Sequence, residues 1–200
     1  MKIERFVMGM FATNTYLLTI DNDCILIDPA SKAEKLIEIL DDKNLVAILL
    51  THGHFDHIKA VDGLVKKYNC PCYISQKDEE LIRNKEQGIH FGIPTSAYIS
   101  VPVNYIDEGI KEISPFKFET IYTPGHTKGS VCYKFDKELF TGDTLFKGSI
   151  GRTDLEGGSD KDIRASLKLL KELPDDINIY PGHEDTSTLE IEKQTNPYLM

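Results

Sequence analysis

Five apolar residues in succession, Val46-Ala47-Ile48-Leu49-Leu50, run directly into Thr51-His52-Gly53-His54-Phe55-Asp56-His57. An unbroken apolar run has no polar face, so as a strand it must be covered on both sides. That requirement selects a sheet with layers above and below it. The segment that follows is as restrictive. On an extended loop His52 and His54 point the same way, so both imidazoles can reach one metal ion. Asp56 and His57, where the chain turns into the next helix, are directed differently and are candidates for a second ion. The pattern arises by chance only about once in a couple of thousand chains of this composition. Imidazole nitrogen with carboxylate oxygen suits zinc, and also iron or manganese.

The rest of the chain reads as strands mixed with helices. Strand patterns cover residues 2–7, 16–20, 24–27, 46–50, 116–122, 131–135, 138–140 and 177–180. Ser31 and Glu34 make a capping-box pattern ahead of a helix with Leu36, Ile37 and Leu40 on one face. A second helix turns Ile58, Val61, Leu64 and Val65 inward, and residues 76–87 predict a short polar one. A helix over 160–173 is capped by Ser159 and buries Ile163, Leu167 and Leu170; residues 186–194 predict the last. Residues 88–107 lose periodicity, interrupted by Gly92, Pro94 and Pro102, and are expected to form a lid or substrate-binding element. This order gives one α/β domain over residues 1–200, its sheets covered by helices.

The remaining candidate ligands fall after predicted strands. Asp143 closes Phe140-Thr141-Gly142-Asp143, and His126 and His183 end the two Pro-Gly-His turns. Ligands of α/β sheets gather at the carboxyl ends of strands, where loops converge. Five of the six histidines lie in the 52–57 motif or in these turns, a concentration that scattered surface or core histidines would not produce. The sixth, His90, reads as an exposed loop residue, with substrate contact as the alternative. A carboxylate such as Asp143 can bridge two cations, which a histidine cannot do. There is no Gly-x-Ser-x-Gly elbow, no phosphate-cradling loop and no dinucleotide fingerprint. A metal-bound hydroxide is therefore the expected nucleophile.

Charge and composition exclude other classes. With 23 Lys and Arg against 32 Asp and Glu, the net charge of -9 argues against nucleic acid or an anionic membrane as partner. An anionic small substrate stays open, because a bound divalent cation can dominate the field of one cleft. No apolar stretch approaches the roughly 18 residues of a membrane span, and residues 1–10 carry no secretory signal. The four cysteines are expected to be reduced thiols in a cytoplasmic protein, with Cys70-Pro71-Cys72 opening a strand rather than binding metal.

The ordered set His52-x-His54-x-Asp56-His57, His126, Asp143 and His183 resembles the metallo-β-lactamase superfamily, across nearly the whole chain from Thr13-Asn14-Thr15-Tyr16 to Asn196-Pro197-Tyr198. Thr-Pro-Gly-His-Thr at 123–127 and Thr-Gly-Asp-Thr-Leu-Phe at 141–146 are most similar to glyoxalase II. The resemblance implies an αββα sandwich of two mixed sheets with helices on the outer faces. It implies one metal on His52, His54 and His126, a second on Asp56, His57 and His183, and Asp143 bridging. Zinc is expected, with iron or manganese as alternatives, and Asp56 and Asp143 are the catalytic carboxylates. The implied reaction is hydrolysis of a hydroxyacyl thioester such as S-lactoylglutathione by a metal-bridging hydroxide, with a small-molecule thioester as substrate. Lys147 and Arg152, close after Asp143, are candidates to hold a substrate carboxylate, and Phe91 and Tyr98 to line the cleft.

Three departures from the family pattern stand out. Ala60 replaces a frequent glycine. The C-terminal helical domain with which glyoxalase II helps to hold glutathione is expected to be missing. Gly151-Arg152-Thr153-Asp154 is similar to the persulfide dioxygenases, which use a single iron. An iron-dependent persulfide dioxygenase is therefore the second reading and a non-catalytic metal-binding module the third; β-lactam hydrolysis is a further, weaker reading for want of an export signal.

Overall fold

The computed structural model describes residues 1–93 and 96–200; the side chain of His90, like Pro94, lies outside the described part. Two six-stranded sheets form the centre of the molecule. The first runs in chain order: β1 (Lys2–Met8), β2 (Thr13–Ile20), β3 (Asp23–Ile27), β4 (Asn44–Leu49), β5 (Cys72–Ile74) and β6 (Asn104–Tyr105). It is antiparallel up to β3 and parallel from there on. The second is built from β7 (Gly109–Ile113), β8 (Phe116–Tyr122), β9 (Val131–Phe135) and β10 (Glu138–Gly142). A small hairpin of β11 (Leu145–Phe146) and β12 (Ser149–Ile150) precedes its last strands, β13 (Asn178–Pro181) and β14 (Ser187–Thr188). The spatial order of this sheet is β14-β13-β10-β9-β8-β7, and the β10–β13 pair is parallel. The helices are α1 (Ala33–Leu40), α2 (Val61–Tyr68), α3 (Glu79–Arg83), α4 (Asp160–Lys171) and α5 (Leu189–Thr195).

Alternation along the strands explains the layering. Tyr16 and Leu18, Ile25 and Ile27, Ala47 and Leu49 face one way and pack on Phe116, Val131, Tyr133 and Phe140 of the other sheet. Their neighbours Leu17, Leu26, Ile48 and Leu50 face the other way, onto Leu36 and Leu40 of α1 and Val61 and Leu64 of α2. On the far side Cys132, Leu139 and Ile179 pack on Ile163, Leu167 and Leu170 of α4. Both sheets are thus apolar on two faces, as the run 46–50 requires, and the expected αββα sandwich is the observed fold.

Some local expectations are corrected. The capping box at Ser31 and Glu34 does not form, because α1 opens at Ala33 with Lys32 as N-cap and Ser31 lies outside the first turn. Ile58 is buried but precedes α2. The helix expected over 76–87 is a 3₁₀ turn, Gln76–Asp78, followed by α3 alone. At 186–194, Ser187 and Thr188 instead pair with Ile179 and Asn178, and the Thr188 hydroxyl caps α5 at Ile191 N–H. Within 88–107 a 3₁₀ turn, Ile89–Phe91, reaches the cavity described below, while Arg83 holds the Ile99 and Val101 carbonyls. The four cysteines are buried and unbridged. No helix among the described residues is long and apolar enough to cross a membrane.

Candidate metal centre

The two sheets meet at the carboxyl ends of their central strands. The Val131 N–H donates to Thr51 O (2.9 Å), the Tyr133 hydroxyl to Leu50 O (2.8 Å), and the Tyr16 hydroxyl to Pro181 O (2.7 Å). These cross-sheet bonds bring together the loops after β4, β8, β10 and β13. All seven predicted ligands therefore converge, although they span residues 52 to 183.

The side chains form two overlapping donor groups. One donor atom each from His52, His54 and His126 lies within 4.8 Å of the others, and the same holds for Asp56, His57 and His183. Asp143 stands between the groups: Oδ2 is 3.4 Å from His126 Nε2 and 3.5 Å from His183 Nε2, and Oδ1 is 3.4 Å from His57 Nε2. Four imidazoles are oriented through Nδ1, which turns Nε2 inward. His57 Nδ1 bonds Asp28 Oδ2 (2.9 Å), His126 Nδ1 bonds Arg152 O (2.7 Å), His183 Nδ1 bonds Phe11 O (3.1 Å) and His52 Nδ1 pairs with Thr51 Oγ1 (3.0 Å). Such outer partners fix tautomer and ring angle in metal sites.

Two carboxylates that sequence reasoning did not place take part in this support. Asp28 accepts from the Thr51 backbone N–H (2.8 Å) and the Thr51 hydroxyl (2.6 Å) as well as from His57. Asp78 ties the His52–His54 loop to the His126 turn through Gly53, Thr127 and Gly129. Asp28 also completes a third possible donor group with His52 and His57. Its only advance signal is its place at the end of the apolar run 24–27.

Electrostatics fits a cation at this place. Burial, then the neighbouring His57, holds His52 well below the usual histidine range, and burial with His126 holds His54 at about 3. Burial opposes charge on His57, but Asp56, Asp143 and Asp28 outweigh it and raise its pKa to about 9. His183 is likewise opposed by burial, yet Asp143 and Asp56 lift it to about 11. Burial would raise Asp56 and Asp143, and the histidines reverse this: His57 first in both cases, bringing Asp56 to about 2. The cluster thus gathers negative charge that positive charge must balance. His52 Nε2 and Asp143 Oδ1 are buried without a hydrogen-bond partner, a cost that coordination to a cation would remove. The donor set fits a divalent metal on these grounds.

The site leaves no room for a side chain at Gly182. A Cβ there would stand 2.2 Å from Asp143 Oδ1 and 2.8 Å from His57 Cε1. Gly182→Ala is expected to weaken metal binding by about tenfold or more by displacing these two residues, measured by competition against a chromophoric chelator. Unchanged affinity would show that Asp143 and His57 are not held in place for a metal.

The cluster floors a cavity of about 660 Å³ whose walls include Phe11, Phe55, Phe91, Phe146 and Ile150. Phe91 lines it as expected; Tyr98 is not among its lining residues and lies under Lys85 Nζ instead. Arg152 lines the cavity, but its Nε and Nη2 donate to Asp154 (2.6 and 2.7 Å). Lys147 is exposed, 3.8 Å from Asp185, and is not among the lining residues.

The profile of the Metallo-beta-lactamase superfamily matches residues 8–183. "Probable metallo-hydrolase YqgX" of Bacillus subtilis is 38% identical over 210 residues, covering 100% of this chain and 98% of the relative. "Hydroxyacylglutathione hydrolase GloC" of Haemophilus influenzae is 36% identical over 208 residues, with coverages of 100% and 98%. Among solved structures, BLEG-1 B3 metallo-beta-lactamase is similar at a TM-score of 0.93 and 34% identity over 100% of both chains. TTHA1623 in a di-iron-bound form is similar at 0.90 and 35% identity, over 98% of this chain and 100% of that one.

Proposed function

The chain belongs to the metallo-β-lactamase superfamily, and from that premise we propose that this metal-dependent hydrolase is a thioesterase that cleaves a hydroxyacyl thioester. The observation that carries the reading is the pair of three-donor groups, spanned by Asp143, at the floor of one cavity. His52, His54 and His126 would hold one divalent cation and Asp56, His57 and His183 the other, with Asp143 reaching both. Zinc or iron suits this donor set, and a di-iron form exists for the similar TTHA1623. Two such cations, when bound, supply Lewis-acid polarisation of the thioester carbonyl and a water acidified to about pKa 7.

The chain's own residues set up the rest. Asp28, Thr51, Arg152 O and Phe11 O hold four of the five imidazoles, so those rings need not reorient during turnover. The Thr13 hydroxyl donates to Asp56 Oδ2 (2.8 Å) and fixes that carboxylate. Phe11, Phe55 and Phe91 exclude water from one side of the cavity. Water adds at the carbonyl carbon and its protons pass to solvent, the C–S bond breaks, and the thiolate leaves with the bonding pair. A thiolate is a good leaving group, so no dedicated acid is required of the protein. The relative named hydroxyacylglutathione hydrolase, 36% identical along the full chain, supports a thioester substrate.

The test is turnover of S-lactoylglutathione by metal-loaded protein, run beside nitrocefin hydrolysis and beside oxygen consumption with glutathione persulfide. Thioester hydrolysis alone is expected. Nitrocefin cleavage without thioester cleavage would replace the reading with β-lactam hydrolysis, and oxygen uptake at one iron per chain would replace it with sulfur oxidation.

A further inference from the structure

We propose that the cavity mouth ranks thiol carriers by charge: Glu86, Glu156 and Glu184 disfavour anionic carriers, and an uncharged or cationic carrier is preferred over an anionic one such as glutathione. This rests on the thioesterase reading and names the substrate class of that site.

The cavity makes opposite demands at its two ends. The floor gathers the donor cluster, where cations, when bound, would attract the oxygens of the acyl group. The mouth carries Glu86, Glu156 and Glu184, all exposed. Arg152 is the one Lys or Arg among the described lining residues. Its guanidinium is already engaged by Asp154, which it holds ionised at a pKa of about 2, and it stands 5.8 Å from the Phe91 ring centroid. The pair is neutral as a unit, and three carboxylates remain. One wall is apolar: Phe11 meets Phe55 and Phe91 edge-on at 5.3 and 5.5 Å between centroids, and Phe55 lies 6.1 Å from Phe91. Carboxylates beside a low-dielectric aromatic wall act over a longer distance than in open water. A carboxylate- or phosphate-bearing carrier would have to pass them, whereas an amide or ammonium on an aliphatic stem would pack on the rings.

In the neighbouring cleft of about 260 Å³, Lys77 and Lys128 share the lining with Asp78, Glu80 and Glu156. The mixture of signs there offers an anion no net attraction, so that cleft does not offset the mouth.

Calorimetric titration of the purified protein with S-hexyl thioethers tests the proposal apart from catalysis. The probes are S-hexyl-cysteamine (cationic), S-hexyl-N-acetylcysteamine (neutral), S-hexylglutathione (net anionic) and S-hexyl-coenzyme A (polyanionic). Affinity is expected to fall in that order, with about tenfold between the neutral and polyanionic probes at low salt. The triple variant Glu86→Gln, Glu156→Gln, Glu184→Gln should reduce that ratio to about threefold or less. Equal affinities, tighter binding of the coenzyme A probe, or an order that survives in the triple variant would overturn the proposal. Lactoyl thioesters of the same four thiols are assayed in parallel. The predicted binding order without turnover of any of them would reject the thioesterase reading and leave the selectivity standing.

Discussion

Asp143→Asn is expected to lower thioester turnover by about 10³-fold or more while leaving the protein folded. The substitution is close to isosteric and keeps one oxygen, so β10 and its bond from Gly182 N–H to Gly142 O (2.8 Å) have no reason to move. What changes is charge. The aspartate places one oxygen against His57 and the other against His126 and His183, so it faces both donor groups at once. An amide puts a donor NH₂ on one side, where it repels a cation and cannot coordinate it. The three-histidine group keeps its donors while the group of Asp56, His57 and His183 loses the shared oxygen, so metal content should fall from the two equivalents proposed to about one rather than to none. A rate loss of 10³ corresponds to about 4 kcal/mol of transition-state stabilisation, within reach of one misplaced cation. Elemental analysis and kcat measured on the same preparation check this. A variant with full metal content and more than a tenth of the wild-type rate would show that Asp143 does not lie between two cations.

The convergence of the seven side chains was legible in the sequence because metal chemistry needs particular atoms at particular spacings. His52 and His54 must alternate, and each distant ligand must follow a strand that ends at the same edge. That the sheets are covered on both faces was legible for a related reason, whereas the αββα sandwich itself came from the family resemblance. β2, β3 and β4 each alternate between two apolar faces, and an apolar run cannot hide which class of sheet it belongs to. β7 was not legible: Gly109-Ile-Lys-Glu-Ile113 is an edge strand with Ile110 70% exposed, and its pattern carries no buried face to read. The partners of charged side chains were not legible either. Closeness to Asp143 in the chain points Arg152 at substrate, yet its fork is taken by Asp154 two residues on. Asp28 and Asp78 were missed because a single buried carboxylate has no period. Its meaning lies in donors such as Thr51 and Gly129, tens of residues away in the chain.

Asp78 gives the largest stability effect expected in this molecule. The residue is 2% exposed. Oδ2 accepts from Gly53 N–H (2.9 Å) and the Thr127 hydroxyl (2.8 Å), and Oδ1 accepts from Gly129 N–H (2.7 Å). Burial raises its pKa, and the bonds from Thr127, Gly53 and Gly129 pull it back. Gly53 lies between His52 and His54, and Thr127 follows His126, so one side chain joins the two loops that supply the three-histidine group. The fit is close: a Cβ on Gly129 would stand 2.6 Å from Asp78 Cγ. Asp78→Ala strands three buried donors at once, and breaking a buried charged network of this kind costs roughly 3–5 kcal/mol. For a chain of this length that is a fall in Tm of about 10 °C, read by circular dichroism on metal-loaded and metal-stripped protein. Asp78→Asn keeps one acceptor and should lose less. Because the two loops separate, metal affinity should also fall by about 10- to 100-fold, and the Tm drop should then be larger with metal than without. Equal drops in the two states would reduce Asp78 to a structural strut, and a drop below about 1 kcal/mol would mean that water satisfies the stranded donors.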